Sequence, residues 1–283
     1  MIHLVTDSTA YLPPEIKAQY NVHTISLKIC VGDQTFDEDG GITKEEFFRL
    51  LAKVETTPTT SQPSAGEFIA LYQQLAVGDD EVVSVHISSG LSGTVPNALA
   101  AAQEVAPDRI SVIDSRTTAI GLVIMVAAAG EALAAGRTRP QVVSMLERMV
   151  RESVAFFSVE DLAYLQKGGR INTAARLLGT LMNIKPILYL NEGKIEALDK
   201  VRTTRKARMR LLDEVEQRMA GRLVRASVTH IQAPEAAADI AALARQRLNC
   251  KEVYLSELGP AIGSHTGPGL VGIAACPVGE DGF

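Results

Sequence analysis

Glu81-Val82-Val83-Ser84-Val85-His86-Ile87, continued by Ser88-Ser89-Gly90-Leu91-Ser92-Gly93-Thr94 and then by an Ala-rich run to Val105, decides how the chain is read. The first seven residues are β-branched and apolar enough for a strand, the next seven form a hydroxyl-rich turn, and residues 96–105 have helical composition. Strand, turn and helix in that order are the unit of a layered α/β fold. The alternation extends outward. Upstream lie strands at 2–6 and 22–29, a helix start at Pro13-Pro14, and helices over 45–53 and 65–76. Downstream the pattern predicts a strand at Ile110–Asp114 and a long, buried, Ala-rich helix over 117–135, closed by Gly136.

Thr138-Arg139-Pro140 opens an amphipathic helix to about residue 152, with an N-cap threonine and a proline just inside. The pattern then changes. A strand at 154–159, a short helix at 159–165, and a helix at 174–181 with Leu177, Leu178 and Leu181 on one side begin a second unit. Strands follow at 187–190, 194–200, Val224–His230, 252–257 and 272–275, with helices at Thr204–Met219 and 234–248. Asn191-Glu192-Gly193-Lys194 has the residues of a tight hairpin turn. The expectation is two domains, an N-terminal α/β domain over 1–155 and a C-terminal α+β domain over 156–283, divided by a change of pattern instead of a linker.

With 283 residues, 46% of them apolar, a sizeable core is available. Only 5% are aromatic and Trp is absent, so core and pocket are aliphatic and suit an aliphatic ligand. A net charge of −5 and a pI of about 5.6 argue against a broad electropositive footprint for nucleic acid or anionic membrane. Cys30, Cys250 and Cys276 lack metal or disulfide spacing and read as buried free thiols in a reducing cytoplasm. Residues 1–7 enter a strand with no secretory pattern. The most apolar run, 120–130, ends at Glu131, far short of the roughly 20 residues that cross a bilayer.

Thr59-Thr60-Ser61-Gln62-Pro63-Ser64 and Ser88–Thr94 both precede helices and offer hydroxyls and N–H groups, a socket for a small anionic or carbonyl head group. Ordinary capped turns are the alternative. Lys167-Gly168-Gly169-Arg170 could bring Arg170 to an anion. Gly263-Ser264-His265-Thr266-Gly267-Pro268-Gly269 reads as a glycine-rich loop carrying an imidazole. Arg202, Arg205, Lys206, Arg208 and Arg210 form a solvated helix face or a docking surface. There is no GxGxxG after the first strand, no GxxxxGK[ST], and no HExxH or clustered metal-ligand pattern, so no cofactor or metal is expected. Gly90-Leu91-Ser92-Gly93-Thr94 approaches a GxSxG nucleophile elbow but has Thr94 in place of the last glycine. The order Ser92, Asp114 or Asp199, His265 would still permit a hydrolase triad.

Five segments in order, Val5-Thr6-Asp7-Ser8-Thr9, Thr59–Ser64, Ser88–Thr94, Leu165-Gln166-Lys167-Gly168-Gly169-Arg170-Ile171 and His265-Thr266-Gly267-Pro268-Gly269, resemble the DegV family of bacterial fatty-acid-binding proteins. That family includes the binding subunits of fatty acid kinase. The resemblance implies a Rossmann-like N-terminal domain, a C-terminal α+β domain, and a tunnel holding one long-chain fatty acid. It implies that Thr60 or Ser61, with Ser92, binds the carboxylate, and that His265 and Arg170 lie near the head group. Arg202, in Val201-Arg202-Thr203, matches a position linked to kinase engagement; a separate ATP-dependent subunit would make the acyl phosphate, and this chain would have no catalysis of its own. Candidate lining segments are 174–182 and 120–126, and a monomer is the expected state. A serine hydrolase of lipid esters using Ser92, and a regulatory module binding a small anion or using the Arg202 to Arg210 face, are the competing expectations.

Overall fold

The computed structural model describes residues 1–53, 57–177 and 184–283. Four strands, β1 (Ile2–Asp7), β2 (His23–Ile25), β6 (Glu81–His86) and β7 (Ile110–Asp114), form a parallel sheet in the order β2-β1-β6-β7. Parallel strands joined by helices are buried on both faces, and alternate residues of β6 show it. Val82 packs with α3 (Ala65–Leu75) and α4 (Thr94–Val105), whereas Val83 and Val85 pack with α5 (Ala119–Ala134) and α6 (Arg139–Glu152). Capping boxes start three of the helices: Ser64 with Glu67 in α3, Thr138 with Gln141 in α6, and Thr43 with Glu46 in α2 (Lys44–Leu51).

A second, six-stranded sheet runs β10-β9-β8-β13-β11-β12, built from β8 (Val154–Ser158), β9 (Lys185–Asn191), β10 (Lys194–Val201), β11 (Val224–His230), β12 (Cys250–Glu257) and β13 (Val271–Pro277). Only the β11/β12 pair is parallel. One face is covered by α8 (Thr204–Met219) and α9 (Pro234–Arg247). The opposite face meets α5. Leu122, Val123, Met125 and Val126 of that helix have no exposed surface, and α5 packs on β1 and β6 of the first sheet and on β8, β11 and β13 of the second. No helix among the described residues is long and apolar enough to cross a membrane.

A three-stranded antiparallel sheet, β4-β3-β5, lies at the margin: β3 (Lys28–Val31), β4 (Gln34–Asp37) and β5 (Thr59–Ser61). It corrects two expectations. The single strand expected over 22–29 is broken, because Ser8 Oγ accepts the Leu27 N–H at 3.0 Å and Ser26 Oγ accepts the Asp39 N–H at 3.0 Å. Side-chain oxygens thus replace ladder partners at the break, and the chain leaves one sheet for another. The Thr59–Ser61 part of the first hydroxyl-rich turn is itself a strand. Further on, the short helix expected at 159–165 forms later, as α7 (Ala163–Lys167), after Asp161 Oδ1 accepts the Ala163 N–H at 2.8 Å. Of the helix expected at 174–181, residues 172–177 form a 3-10 helix and 178–181 lie outside the described residues.

The Gly263–Gly269 loop is in part helical. Residues 263–266 are the end of α10 (Pro260–Thr266), opened by Pro260 and stopped at Gly267, whose φ of +69° a side chain would resist. The hairpin turn is as expected, with Glu192 and Gly193 both left-handed at φ 45° and 77°. Cys276 is buried, but Cys30 and Cys250 are only half-buried, so one thiol of three fits the expected environment; all are free. Removing side-chain volume from the central helix is expected to be costly. Leu122→Ala should lower unfolding free energy by about 2–5 kcal/mol in chemical denaturation, and a loss below about 1 kcal/mol would contradict the tight packing of α5 between the sheets.

Candidate functional site

Beyond the N-terminus of α5, the three sheets leave a narrow cavity. Leu27, Leu165, Leu190, Ile195 and Leu258, with the Phe157 ring, make most of its wall apolar. Such a bore suits an extended hydrocarbon better than a bulky ring system. The lining includes Thr118, Ala119 and Ile120 at the start of α5, so of the segment 120–126 only Ile120 reaches the cavity and the rest is core.

Four of the expected site residues, Thr60, Ser92, Arg170 and His265, line this cavity together. Each arrives from a different element. Strand periodicity turns Thr60 of β5 inward and leaves Thr59 and Ser61 exposed. Ser61 is therefore not among the lining residues, which corrects its place beside Thr60 in the expected carboxylate set. Ser92 sits on a tight turn in which Ser88 O accepts the N–H groups of Leu91 and Ser92, both at 3.0 Å. The hairpin between β9 and β10 clamps that turn, with Ser88 Oγ donating to Gly193 O at 2.8 Å.

Thr60 Oγ1 and His265 Nε2 are 2.8 Å apart, while His265 Nδ1 is buried with no partner among the described residues. Burial first, and then the Arg170 guanidinium, push the ring's pKa down to about 4, so the imidazole is neutral at pH 7. Arg170 donates through Nε to Leu91 O at 3.2 Å and through Nη1 to Gly168 O at 2.7 Å. No carboxylate pairs with it among the described residues. Ser92 Oγ and Thr94 Oγ1 share a hydrogen bond of 2.9 Å. The cluster thus combines hydroxyls, a neutral imidazole and a cation without a counter-ion, which together fit a small anion.

Two residues absent from the sequence expectations hold this arrangement. Glu38 accepts the Ala261 N–H at 2.7 Å at the start of α10 and is itself bonded by Ser8 Oγ at 2.5 Å and by the Tyr11 hydroxyl. Tyr11 also accepts the Ile262 N–H at 3.3 Å. Burial raises the Glu38 carboxyl above its usual range and the Tyr11 hydroxyl well above its own. Because α10 carries Ala261, Ile262 and His265 into the cavity, these buried groups set where the imidazole sits. They lie more than 200 residues before α10, and neither belongs to a local motif.

The residues proposed for a hydrolase triad are not assembled. Ser92 and His265 bond other hydroxyls, Asp114 accepts from Ser89 and Arg116 backbone N–H groups, and Asp199 pairs with Arg210. An Asp-His-Ser array exists elsewhere: Asp7 Oδ2 to His86 Nδ1 at 3.1 Å, and His86 Nε2 to Ser84 Oγ at 2.6 Å. All three residues have no exposed surface, and Tyr72 OH donates to Ser84 at 2.9 Å, so the array is a structural brace closed to substrate. Among the described residues no group of three or more His, Cys, Asp or Glu could hold a metal ion. Arg202 lies away from the cavity, exposed between β10 and α8, with Arg205 and Lys206 exposed beside it and Arg210 tied to Asp199 and Glu214.

A lowered histidine pKa has a thermodynamic sign. Between pH 6.5 and about 4 the unfolded chain takes up a proton that the folded His265 refuses, so stability falls as pH drops through that window. An NMR titration of the ring should show a midpoint near 4, and His265→Gln should remove its share of that pH dependence. A midpoint near 6.5 would contradict the buried placement.

A family model described as an uncharacterised protein of the DegV family matches residues 1–278. Protein DegV of Bacillus subtilis is 36% identical over 277 residues, covering 97% of this chain and 99% of the relative. Among solved structures, one described as fatty acid binding of a DegV family protein from Thermus thermophilus is 38% identical, with a TM-score of 0.92 over 98% of this chain and 99% of that one. DegV of Bacillus subtilis, described as a fatty acid binding protein, is 36% identical, with a TM-score of 0.87 over 98% and 99%. By whole-chain sequence and fold alike, the chain belongs to the DegV family.

Proposed function

We propose that the protein binds one long-chain fatty acid, with the acyl chain in the aliphatic cavity and the carboxylate at Thr60, Ser92, Arg170 and His265. The observation that carries this is Arg170, a cation with no carboxylate partner among the described residues, placed with hydroxyls at the wall of a mainly apolar cavity. Fatty acid binding in the Thermus and Bacillus proteins, which share the fold over the whole chain, supports it. Burying about 14 methylenes at ~0.8 kcal/mol each amounts to roughly 11 kcal/mol of gross hydrophobic gain. Each charge-assisted hydrogen bond adds only about 1.5–3 kcal/mol. The chain supplies affinity and the polar cluster supplies orientation.

The polar cluster also prevents a penalty, since a carboxylate buried without donors is expensive. Thr60, Ser92 and Arg170 provide donors, and a neutral His265 can donate from one ring nitrogen without adding a second buried charge. The protein then presents the carboxylate to a separate ATP-dependent fatty acid kinase subunit for acyl phosphate formation. The exposed Arg202, with Arg205 and Lys206, offers that partner a basic surface. No cofactor and no catalysis of its own enter this role, which belongs in the cytoplasm, in the supply of acyl groups to phospholipid, and a monomer suffices for it.

Fatty acid affinity of head-group variants tests the assignment. Ser92→Ala and Arg170→Met should each weaken binding of palmitic acid by about ten- to a hundred-fold, the equivalent of one charge-assisted bond, while leaving the circular dichroism spectrum unchanged. Undiminished affinity in both variants would exclude this cluster as the carboxylate site.

A further inference from the structure

Two hydroxyls in the cavity wall have no partner. Thr118 Oγ1 and Thr229 Oγ1 are both buried and unbonded among the described residues, and both residues line the cavity. Thr118 is the N-cap residue of the sixteen-residue α5, yet its side chain makes no cap bond. Thr229, the next-to-last residue of β11, has no exposed surface. Leaving buried hydroxyls unpaired costs free energy that a threonine-to-valine exchange would avoid.

The pairings of β11 with α5 indicate where Thr229 falls relative to Thr118. On the face of β11 turned to α5, Arg225 pairs with Glu131 and Ser227 Oγ donates to Ile120 O. Stepping along β11 therefore moves toward the N-terminus of α5. Thr229 is the next residue on that face and falls beyond Ile120, where Thr118 begins the helix. Around them the lining is Ala119, Ile120 and Phe157. A water molecule there would find two polar partners at the low end of what buried waters keep.

We propose that Thr118 and Thr229 form a second polar station that receives an oxygen carried on the acyl chain, so that the cavity selects long-chain fatty acids bearing an in-chain hydroxyl. A pair of threonine hydroxyls matches such a group, one donating to it and the other accepting from it. The inference rests on the fatty-acid reading of the cavity and adds a preference within it. Position along the chain becomes the discriminating variable, because only one or two carbons of an extended chain can lie opposite the station.

The experiment uses the full chain, freed of lipid, with stearic acid and a series of positional hydroxystearic acids as ligands. One isomer, or two neighbouring ones, should bind at least as tightly as stearic acid, and the others about tenfold or more weaker. Thr229→Val and Thr118→Val should each cost the favoured isomer about tenfold more than they cost stearic acid, with Thr229→Ser restoring the preference. Uniformly weak binding of every isomer, with stearic acid bound normally, overturns the station and leaves the fatty-acid assignment standing. Loss of stearic acid binding equal to that of the isomer in the valine variants also overturns it, by placing the carboxylate there. Failure of stearic acid itself to bind the wild-type protein removes both. The isomer ranking of the wild-type protein decides the matter even if a valine variant does not fold.

Discussion

A helix with no polar face has to be covered on every side, and α5 is such a helix. Its residues from Ala119 to Gly130 are all buried, and Glu131, the next, reaches outward to Arg225 and Lys251. One sheet cannot cover it. The parallel sheet supplies one wall and the six-stranded sheet the other, so the burial of the apolar side chains of α5 draws the two sheets face to face. What lies past the start of that helix is a space that neither sheet fills. The cavity is thus a consequence of how α5 is packed, and Thr118, Ala119 and Ile120 belong to both.

Polar chemistry enters that space from the margins. β5 contributes Thr60, the turn before α4 contributes Ser92, the segment after α7 contributes Arg170 and α10 contributes His265. Each contributing segment is short, and three are fastened by bonds to distant segments: Ser88 to Gly193, Arg170 to Leu91, and Glu38 to Ala261. Burial makes these bonds matter, because an unpaired donor or acceptor in such surroundings costs more than a single hydrogen bond gains. The same burial keeps His265 neutral beside Arg170, which leaves one positive charge for one anionic head group.

Much of this is written locally in the sequence. Val82 and Val83, alternating in a β-branched run, point to a strand covered on both faces; the uninterrupted apolar run from Ala119 points to a buried helix; Thr138 and Pro140 mark the start of α6. The break at Ser26 and Leu27 was not legible, because it depends on Ser8 and Asp39, which come close only in the fold. His265 was recognisable as a candidate, but its helix was hidden by four glycines around it, and Glu38 and Tyr11 carry no local pattern at all. The choice between Thr60 and Ser61 needed the strand in place, since only pleating says which hydroxyl turns inward. The unpartnered Thr118 and Thr229 are likewise invisible until β11 and α5 are docked.

Native mass spectrometry of the protein purified without detergent, followed by organic extraction and analysis of the released lipid, tests the central claim most directly. The account requires close to one long-chain fatty acid per chain, lost or depleted when Arg170 is replaced by Met. A protein that emerges empty, in a preparation where a control lipid-binding protein keeps its ligand, and that takes up no fatty acid on addition, would contradict it.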